Sequence, residues 1–274
     1  MTTYSTTSPE EFRLLCRKGE FTGDTAGACA EYAQANLIVL PKKYANDFVS
    51  LCYRNSAPCP LLCRTPAGNP KKVNSTKFFK STEVDLSTDF PSYCVYEKGI
   101  LKETTTSISS IWSENHVGFL IGCSYSFEND LARNGLIPRH QTLNRGVPVY
   151  KTSKYLDPAG IFSKCTYVVS MRPYKKSELE KVRSITRKFE ETHGEPVDWG
   201  YDGAERLGIR DLMHPDFGDR PEIHEDEIPV FWGCGVTPQL CVMQMGDAIE
   251  GTVMSHKTGS MLVMDITGDN IKNL

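Results

Sequence analysis

Apolar positions along the chain change their spacing several times, and each change marks an element. Residues 117–121 form an unbroken apolar, β-compatible run ending at Gly122, and 128–134 then reads as a helix closed by Gly135. A second apolar strand spans 228–232 and runs into Gly233-Cys234-Gly235-Val236-Thr237-Pro238-Gln239. Near the start, Ser8-Pro9-Glu10-Glu11 is a capping box with proline at the first helical position. Phe12, Leu15 and Cys16 supply that helix's apolar stripe, and Gly19 ends it. Residues 44–53 predict a helix with Phe48, Leu51 and Cys52 on one face. Residues 37–39 are apolar without clear alternation, which fits either a strand or a buried helix end. Prolines and polar residues make 55–81 irregular chain with room for one strand, and Tyr93-Cys94-Val95-Tyr96 followed by Gly99-Ile100-Leu101-Lys102-Glu103 predicts a hairpin.

The middle third reads as a unit of its own. Residues 166–171 predict a strand, and Ser177-Glu178-Leu179-Glu180 is a second capping box. Leu179, Val182, Ile185 and Phe189 follow at helical spacing until His193-Gly194. Pro196-Val197-Asp198-Trp199 returns as a strand, which gives a split β-α-β unit. The predicted fold is therefore α/β: a larger three-layer α/β domain made of residues 1–136 and 207–274, with a smaller two-layer α+β domain, residues 137–206, inserted into it. No internal repeat, low-complexity tract or flexible linker breaks this pattern.

Two strand ends carry polar groups. The turn Gly122-Cys123-Ser124-Tyr125-Ser126 joins a strand to a helix start, where backbone N–H groups and two hydroxyls converge. Such a junction stabilises an anion, or an oxygen gaining negative charge in a reaction. The plainer alternative is an ordinary helix cap by Ser124 or Ser126. In the second turn, glycines flanking Cys234 permit close backbone approach to a ligand, and Thr237 adds a hydroxyl; a tight turn packed on its neighbour is the alternative. Two such ends in one chain predict a shared crevice.

Composition narrows the function. The 274 residues are 39% hydrophobic and 24% charged, the balance of a globular protein. A net charge of -3 with no basic block gives nucleic acid no electrostatic footing. No apolar run reaches the roughly 20 residues that a bilayer needs, so no membrane partner is expected. The polar start lacks a signal core, and a cytoplasmic location is the simplest expectation. Ten scattered cysteines are expected to be reduced packing residues. Cys59 and Cys63 have no matching second pair, so no metal site is predicted. Neither a phosphate-binding loop with its lysine nor a dinucleotide glycine motif occurs, so no cofactor is expected. The expected partner is a small amino-acid or carboxylate substrate, with assembly into a homo-oligomer left open.

Several segments carry a family resemblance: the run from Thr25-Ala26-Gly27 through Gln34-Ala35-Asn36-Leu37-Ile38-Val39-Leu40-Pro41; Pro58-Cys59-Pro60-Leu61-Leu62; residues 122–128; Val168-Val169-Ser170-Met171-Arg172-Pro173; and residues 230–239. In these the chain resembles the hydro-lyase family that includes D-glutamate cyclase, nearly end to end and in order. The resemblance implies a two-part α/β architecture and elimination of water from a small acid. It breaks at Tyr201-Asp202, where the family usually reads Gly-Asp-Pro, and at Ser260, where members often carry histidine.

Cyclisation of glutamate fits these restrictions. Its amine attacks its own side-chain carboxyl, water leaves and a lactam forms; the tethered nucleophile removes much of the entropic barrier. Ser124 is the candidate at the oxyanion, with Ser126 beside it, and Glu128 or His140 the candidate proton carrier. Arg172, closing an apolar strand, is the candidate clamp for the substrate carboxylate. Cys234, Thr237 and His256 complete the expected lining. A plain role competes for each: Glu128 at a helix start, His140 as a surface histidine, Arg172 in a salt bridge. Two further functions use the same residues. Ser124, Asp216 or Asp219, and His256 occur in the order of an acyl hydrolase triad, and a non-catalytic binder of small carboxylates would need only the crevice.

Overall fold

The apolar run without alternation in the N-terminal third is a strand, and burial of both its faces explains the missing period. In this computed structural model, which describes residues 4–80 and 84–274, the strands are β1 (Tyr32–Pro41), β2 (Leu61–Arg64), β3 (Tyr93–Glu97), β4 (Ile100–Thr105), β5 (His116–Gly122), β6 (Val149–Tyr155), β7 (Thr166–Lys175), β8 (Asp198–Trp199), β9 (Glu227–Gly233), β10 (Thr252–His256) and β11 (Leu262–Thr267). The helices are α1 (Pro9–Arg17), α2 (Ala45–Arg54), α3 (Glu128–Arg133), α4 (Arg139–Thr142), α5 (Leu179–Thr186), α6 (Gly200–Arg206), α7 (Thr237–Met245) and α8 (Gly268–Ile271). Helices thus alternate with two sheets, an α/β fold, and both sheets are antiparallel.

Local chemistry sets most boundaries. At α1 the Glu11 N–H donates to Ser8 Oγ and the Ser8 N–H to Glu11 Oε2, both at 3.3 Å, which is the expected capping box. The β3–β4 hairpin turns through Lys98 and Gly99, both at positive φ, the backbone a two-residue hairpin requires. The second expected box does not form around Ser177. Strand β7 runs on to Lys175, so the chain enters α5 through a tight turn in which Glu178 Oε2 accepts from the Lys175 N–H.

The first sheet has the order β2-β5-β1-β10-β3-β4. β5 lies along one edge of β1 from Ala35 to Pro41; the other edge is shared by β10, at Ile38 and Val39, and β11, between Tyr32 and Ala35. The second sheet has the order β6-β7-β9-β8. There β7, α5 and β8 form the expected split β-α-β unit, and β9 fills the split. The filling strand comes from beyond residue 206, so this sheet draws on chain outside 137–206.

One large core joins the sheets: Ala35, Leu37, Leu120 and Met254 of the first pack with Tyr174, Val230 and Trp232 of the second, and with Phe127 and Phe189 between them. The opposite face of the first sheet is covered by Phe48 and Leu51 of α2 and by Cys241 and Val242 of α7. The outer face of the second carries Ala204 and Leu207. All ten cysteines are buried and unbridged. Among the described residues no helix is long and apolar enough to cross a membrane.

Candidate active site

The two polar strand ends meet where the sheets abut. β5 of the first sheet ends at Gly122 and β9 of the second at Gly233; beyond them Cys123, Tyr125, Cys234 and Val236 share one apolar cluster with Val149 and Val168. Asn36 clips the two turns together. Its Nδ2 donates to the Gly122 carbonyl at 2.8 Å, and a Cβ at residue 235 would collide with the same amide. Gly122 is equally constrained, because a Cβ there would run into the Glu191 carbonyl. The shared crevice expected from sequence is thus a tightly packed junction.

At its centre stands a buried ion pair. Arg172 of β7 is fully buried, and Glu128 at the start of α3 is 1% exposed. Arg172 Nε donates to Glu128 Oε1 at 2.8 Å, and Nη2 donates to the same oxygen. Nη2 also donates to Ser124 Oγ at 3.0 Å, and Nη1 to Ser170 Oγ at 3.1 Å. The guanidinium lies over the neighbouring Phe127 and Trp232 rings, 5.2 and 5.4 Å from their centres, where aromatic faces favour a cation. Gln141 Nε2 donates to the other oxygen, Glu128 Oε2, at 2.5 Å. Burial works to raise the Glu128 carboxyl, but the neighbouring His140 and Arg172 outweigh it and hold it at about 2. Glu128 is therefore a fixed anion.

His140 extends the pair outward. Its Nε2 lies 3.3 Å from Glu128 Oε1, off hydrogen-bond alignment, and its ring stacks on Tyr125 at 5.9 Å between centres. The Tyr125 hydroxyl reaches Asp24 Oδ1 at 3.4 Å, and the Ala26 N–H donates to the same oxygen at 2.8 Å. Asp24 as a residue is exposed, yet its carboxylate is wedged against Ala26, Tyr125 and Gly259. That desolvation pushes it up to about 6, against the pull of the Ala26 N–H and of His140. Burial first, and then the charges of Asp24 and Glu128, raise the Tyr125 phenol well above its ordinary value and keep it protonated. Ser124, Arg172, Glu128, His140, Tyr125 and Asp24 form a chain of polar groups from the sheet junction to the surface.

Sequence reasoning placed Ser124, Glu128, His140 and Arg172 in one site, and the fold brings all four together. Arg172, expected as a clamp for substrate, directs its fork inward to Glu128 instead, because 0% exposure leaves it no path to a ligand's carboxylate. The other expected lining residues hold the frame. Ser126 Oγ accepts from the Gln34 N–H at 3.0 Å. Thr237 Oγ1 donates to the Cys234 carbonyl at 2.7 Å and accepts from the Val168 N–H at 3.1 Å. Cys234 packs in the junction, its thiol pushed up to about 11 by burial. His256 fills the gap that β10 and β11 leave along β1: its Nδ1 lies 3.1 Å from the Leu37 N–H and 3.2 Å from Gln239 Nε2. Burial lowers it to about 4, so the ring is neutral.

The hydrolase order does not assemble. Asp216 Oδ2 accepts from the Lys151 N–H and Asp219 Oδ2 from the Gly146 N–H, and His256 has Leu37 and Gln239 as partners. Asp24, Tyr125, Ser170 and Gln141 escaped sequence reasoning. Asp24 directly precedes the run at residue 25 that carries the family resemblance, and Gln141 follows His140, but only folding sets either against Glu128 or Tyr125. Ser260 is buried, with its hydroxyl on the Gly23 carbonyl, in the loop under Asp24. Tyr201 is exposed on α6.

Comparison with known proteins agrees with the family resemblance of the sequence. Residues 117–265 match the D-glutamate cyclase family. A Schizosaccharomyces pombe protein named "Putative hydro-lyase C5H10.01" is 47% identical over 95% of this chain and 85% of its own. "Putative hydro-lyase YcsI" of Bacillus subtilis is 43% identical over 96% of this chain and 98% of its own. Among solved structures, a nitrogen repressor-like protein, MJ0159 from Methanococcus jannaschii, overlays 92% of this chain and 93% of its own with 12% identity and a TM-score of 0.36, a likeness too slight to assign fold or function.

Proposed function

Because the chain belongs to the D-glutamate cyclase family, we propose that it removes water from a small amino dicarboxylate, with D-glutamate closing on its own side chain to give 5-oxo-D-proline. The observation that carries this reading is the polar chain from the buried Arg172–Glu128 pair through His140 and Tyr125 to Asp24.

The reaction moves two protons from the substrate nitrogen to the departing oxygen. The amine forms a bond to the side-chain carboxyl carbon, and a C–O bond breaks to release water. Groups that take up and return protons near neutral pH are required. Glu128, held at about 2, stays ionised and serves as a positioning residue that fixes His140 beside a negative charge. His140 carries one proton. Asp24, with its carboxyl near 6, carries the other at the surface end of the chain. Ser124 Oγ accepts from Arg172, which orients its own hydroxyl proton for the oxyanion of the tetrahedral intermediate.

Full-length protein incubated with D- and L-glutamate should form the lactam from the D enantiomer, followed by loss of primary amine and chromatography of the product. His140→Asn and Asp24→Asn should each lower kcat by about 10²–10⁴, the usual cost of losing a general acid or base. Absence of lactam from folded wild-type protein, with and without added divalent metals, overturns the cyclase reading. Full activity in both variants removes these residues from proton transfer.

A further inference from the structure

Glutamate carries a second carboxylate, and the pairing of Arg172 with Glu128 leaves that group without a cation in the site described above. A small recess, open to solvent, adjoins the site at His140, which is part of its wall. Its other charged lining residues are Arg139, Arg145, Arg220 and Glu222. Its enclosed space is about 20 Å³, room for one small polar group rather than a whole metabolite.

The backbone builds the arginine cluster. The Arg145 N–H donates to the His140 carbonyl at 2.9 Å, so the loop after α4 curls back beneath the histidine. The Gly146 N–H donates to Asp219 Oδ2 at 2.7 Å and the Asp219 N–H to the Gly146 carbonyl at 3.2 Å, which brings Arg220 to the same recess as Arg145. The three guanidiniums differ in their partners. Arg139 is neutralised by Glu227 at 2.5 Å, with Glu222 at 4.0 Å, although its Nη1 is buried without a hydrogen bond. Arg145 and Arg220 form no ion pair within 4.0 Å among the described residues, and both are exposed. An orphaned buried donor and two uncommitted cations around one small recess are the makings of a carboxylate site.

We propose that Arg145 and Arg220 hold the α-carboxylate of an amino dicarboxylate whose reacting end lies at His140, an assignment that rests on the cyclase reading. Neither residue touches the Glu128–Arg172 pair, so each can be replaced without uncovering a buried charge. The probes are D-glutamate and 4-aminobutanoate, which keeps the amine and the reacting carboxyl but lacks the α-carboxylate. Calorimetric titration of the full chain and the lactam assay are run in parallel on wild type, Arg145→Gln and Arg220→Gln, with circular dichroism as the check on folding.

Each variant should bind D-glutamate about 10- to 100-fold more weakly, the range for one charge-assisted hydrogen bond, with a matching rise in KM and little change in kcat. Binding of 4-aminobutanoate should stay within about twofold of wild type, and Arg145→Lys should recover part of the loss, because charge without the fork retains some attraction. Lactam formation with unchanged D-glutamate affinity in both variants overturns the arginine subsite and leaves the cyclase reading standing. Equal weakening of both ligands also overturns it. Arginine-dependent D-glutamate binding without any lactam from wild type sustains the carboxylate subsite and removes the cyclase reading. Wild-type protein that does not bind D-glutamate removes both.

Discussion

Arg172 brings a guanidinium into the interior, and its surroundings decide what Glu128 can do. Two of its nitrogens donate to Glu128 Oε1, and the other contacts are Ser124, Ser170 and two aromatic faces. A buried pair of this kind is weak as a source of net stability but costly to break, because the surviving charge has no water. Glu128→Gln should therefore lower the unfolding free energy by roughly 3–5 kcal/mol, measured by urea denaturation. Replacing both partners, as Glu128→Gln with Arg172→Met, should recover part of that loss. A single variant within 1 kcal/mol of wild type would show that the pair is solvated in solution. This cost also makes His140→Asn the cleaner test of catalysis, since it leaves Glu128 and Arg172 joined.

At the scale of elements, the site depends on how closely strand ends approach neighbouring backbone. β5 ends under the Glu190–Thr192 turn, and Gly122 leaves no room there for a side chain. In Gly122→Ala the obstacle is a backbone carbonyl rather than a flexible side chain, so the turn itself must move. The expected cost is at the upper end of overpacking, about 3 kcal/mol, with a Tm lower by several degrees. Ser124 and Glu128 lie just beyond this contact, so kcat should fall with it. A variant with wild-type Tm and activity would mean that the Glu190–Thr192 turn yields freely. The β1 edge gives the complementary case: His256 closes a gap between two partner strands, and its value lies in filling a ladder position as a neutral ring.

Over the whole molecule, two buried histidines set the response to acid. His193 is 2% exposed with Nδ1 at 2.8 Å from the Ala57 carbonyl, His256 is 0% exposed, and burial lowers both from an ordinary 6.5 to about 4. A folded value below the unfolded one means that the unfolded chain binds protons first. Their contribution is complete above about 6.5 and is lost as pH falls through about 4, on the order of 3 kcal/mol for each ring. Glu128 acts in the same direction in a lower window, from its ordinary 4.5 down to about 2. Asp24, raised to about 6, works in the opposite direction and offsets part of one ring, so unfolding free energy measured against pH should still begin to fall near 6.5. His256→Asn, which removes one titrating ring, should flatten the slope between 6.5 and 4. A flat profile down to pH 4.5 in the wild type would contradict the burial of both rings.

Sequence by itself determined the parts governed by neighbours along the chain. The capping box at Ser8, the Lys98-Gly99 hairpin, the strands around 117–121 and 228–232 and the helix after Glu128 all follow from local spacing and backbone preference, and each is present. Ser124, Glu128, His140 and Arg172 were legible as candidates for one site from their chemistry and from the predicted strand and helix ends, although β7 runs past Arg172 to Lys175. Tertiary structure decided how they are paired. A planar fork on a strand suits a substrate or a carboxylate from the protein equally well, and only the fold, which sets Glu128 against β7, chose Glu128. Asp24 came to the site from a loop about 100 residues from Tyr125, and His256 went to a ladder gap that exists only because two strands share one edge of β1. Burial and partner choice depend on contacts between distant segments, which residue spacing does not record.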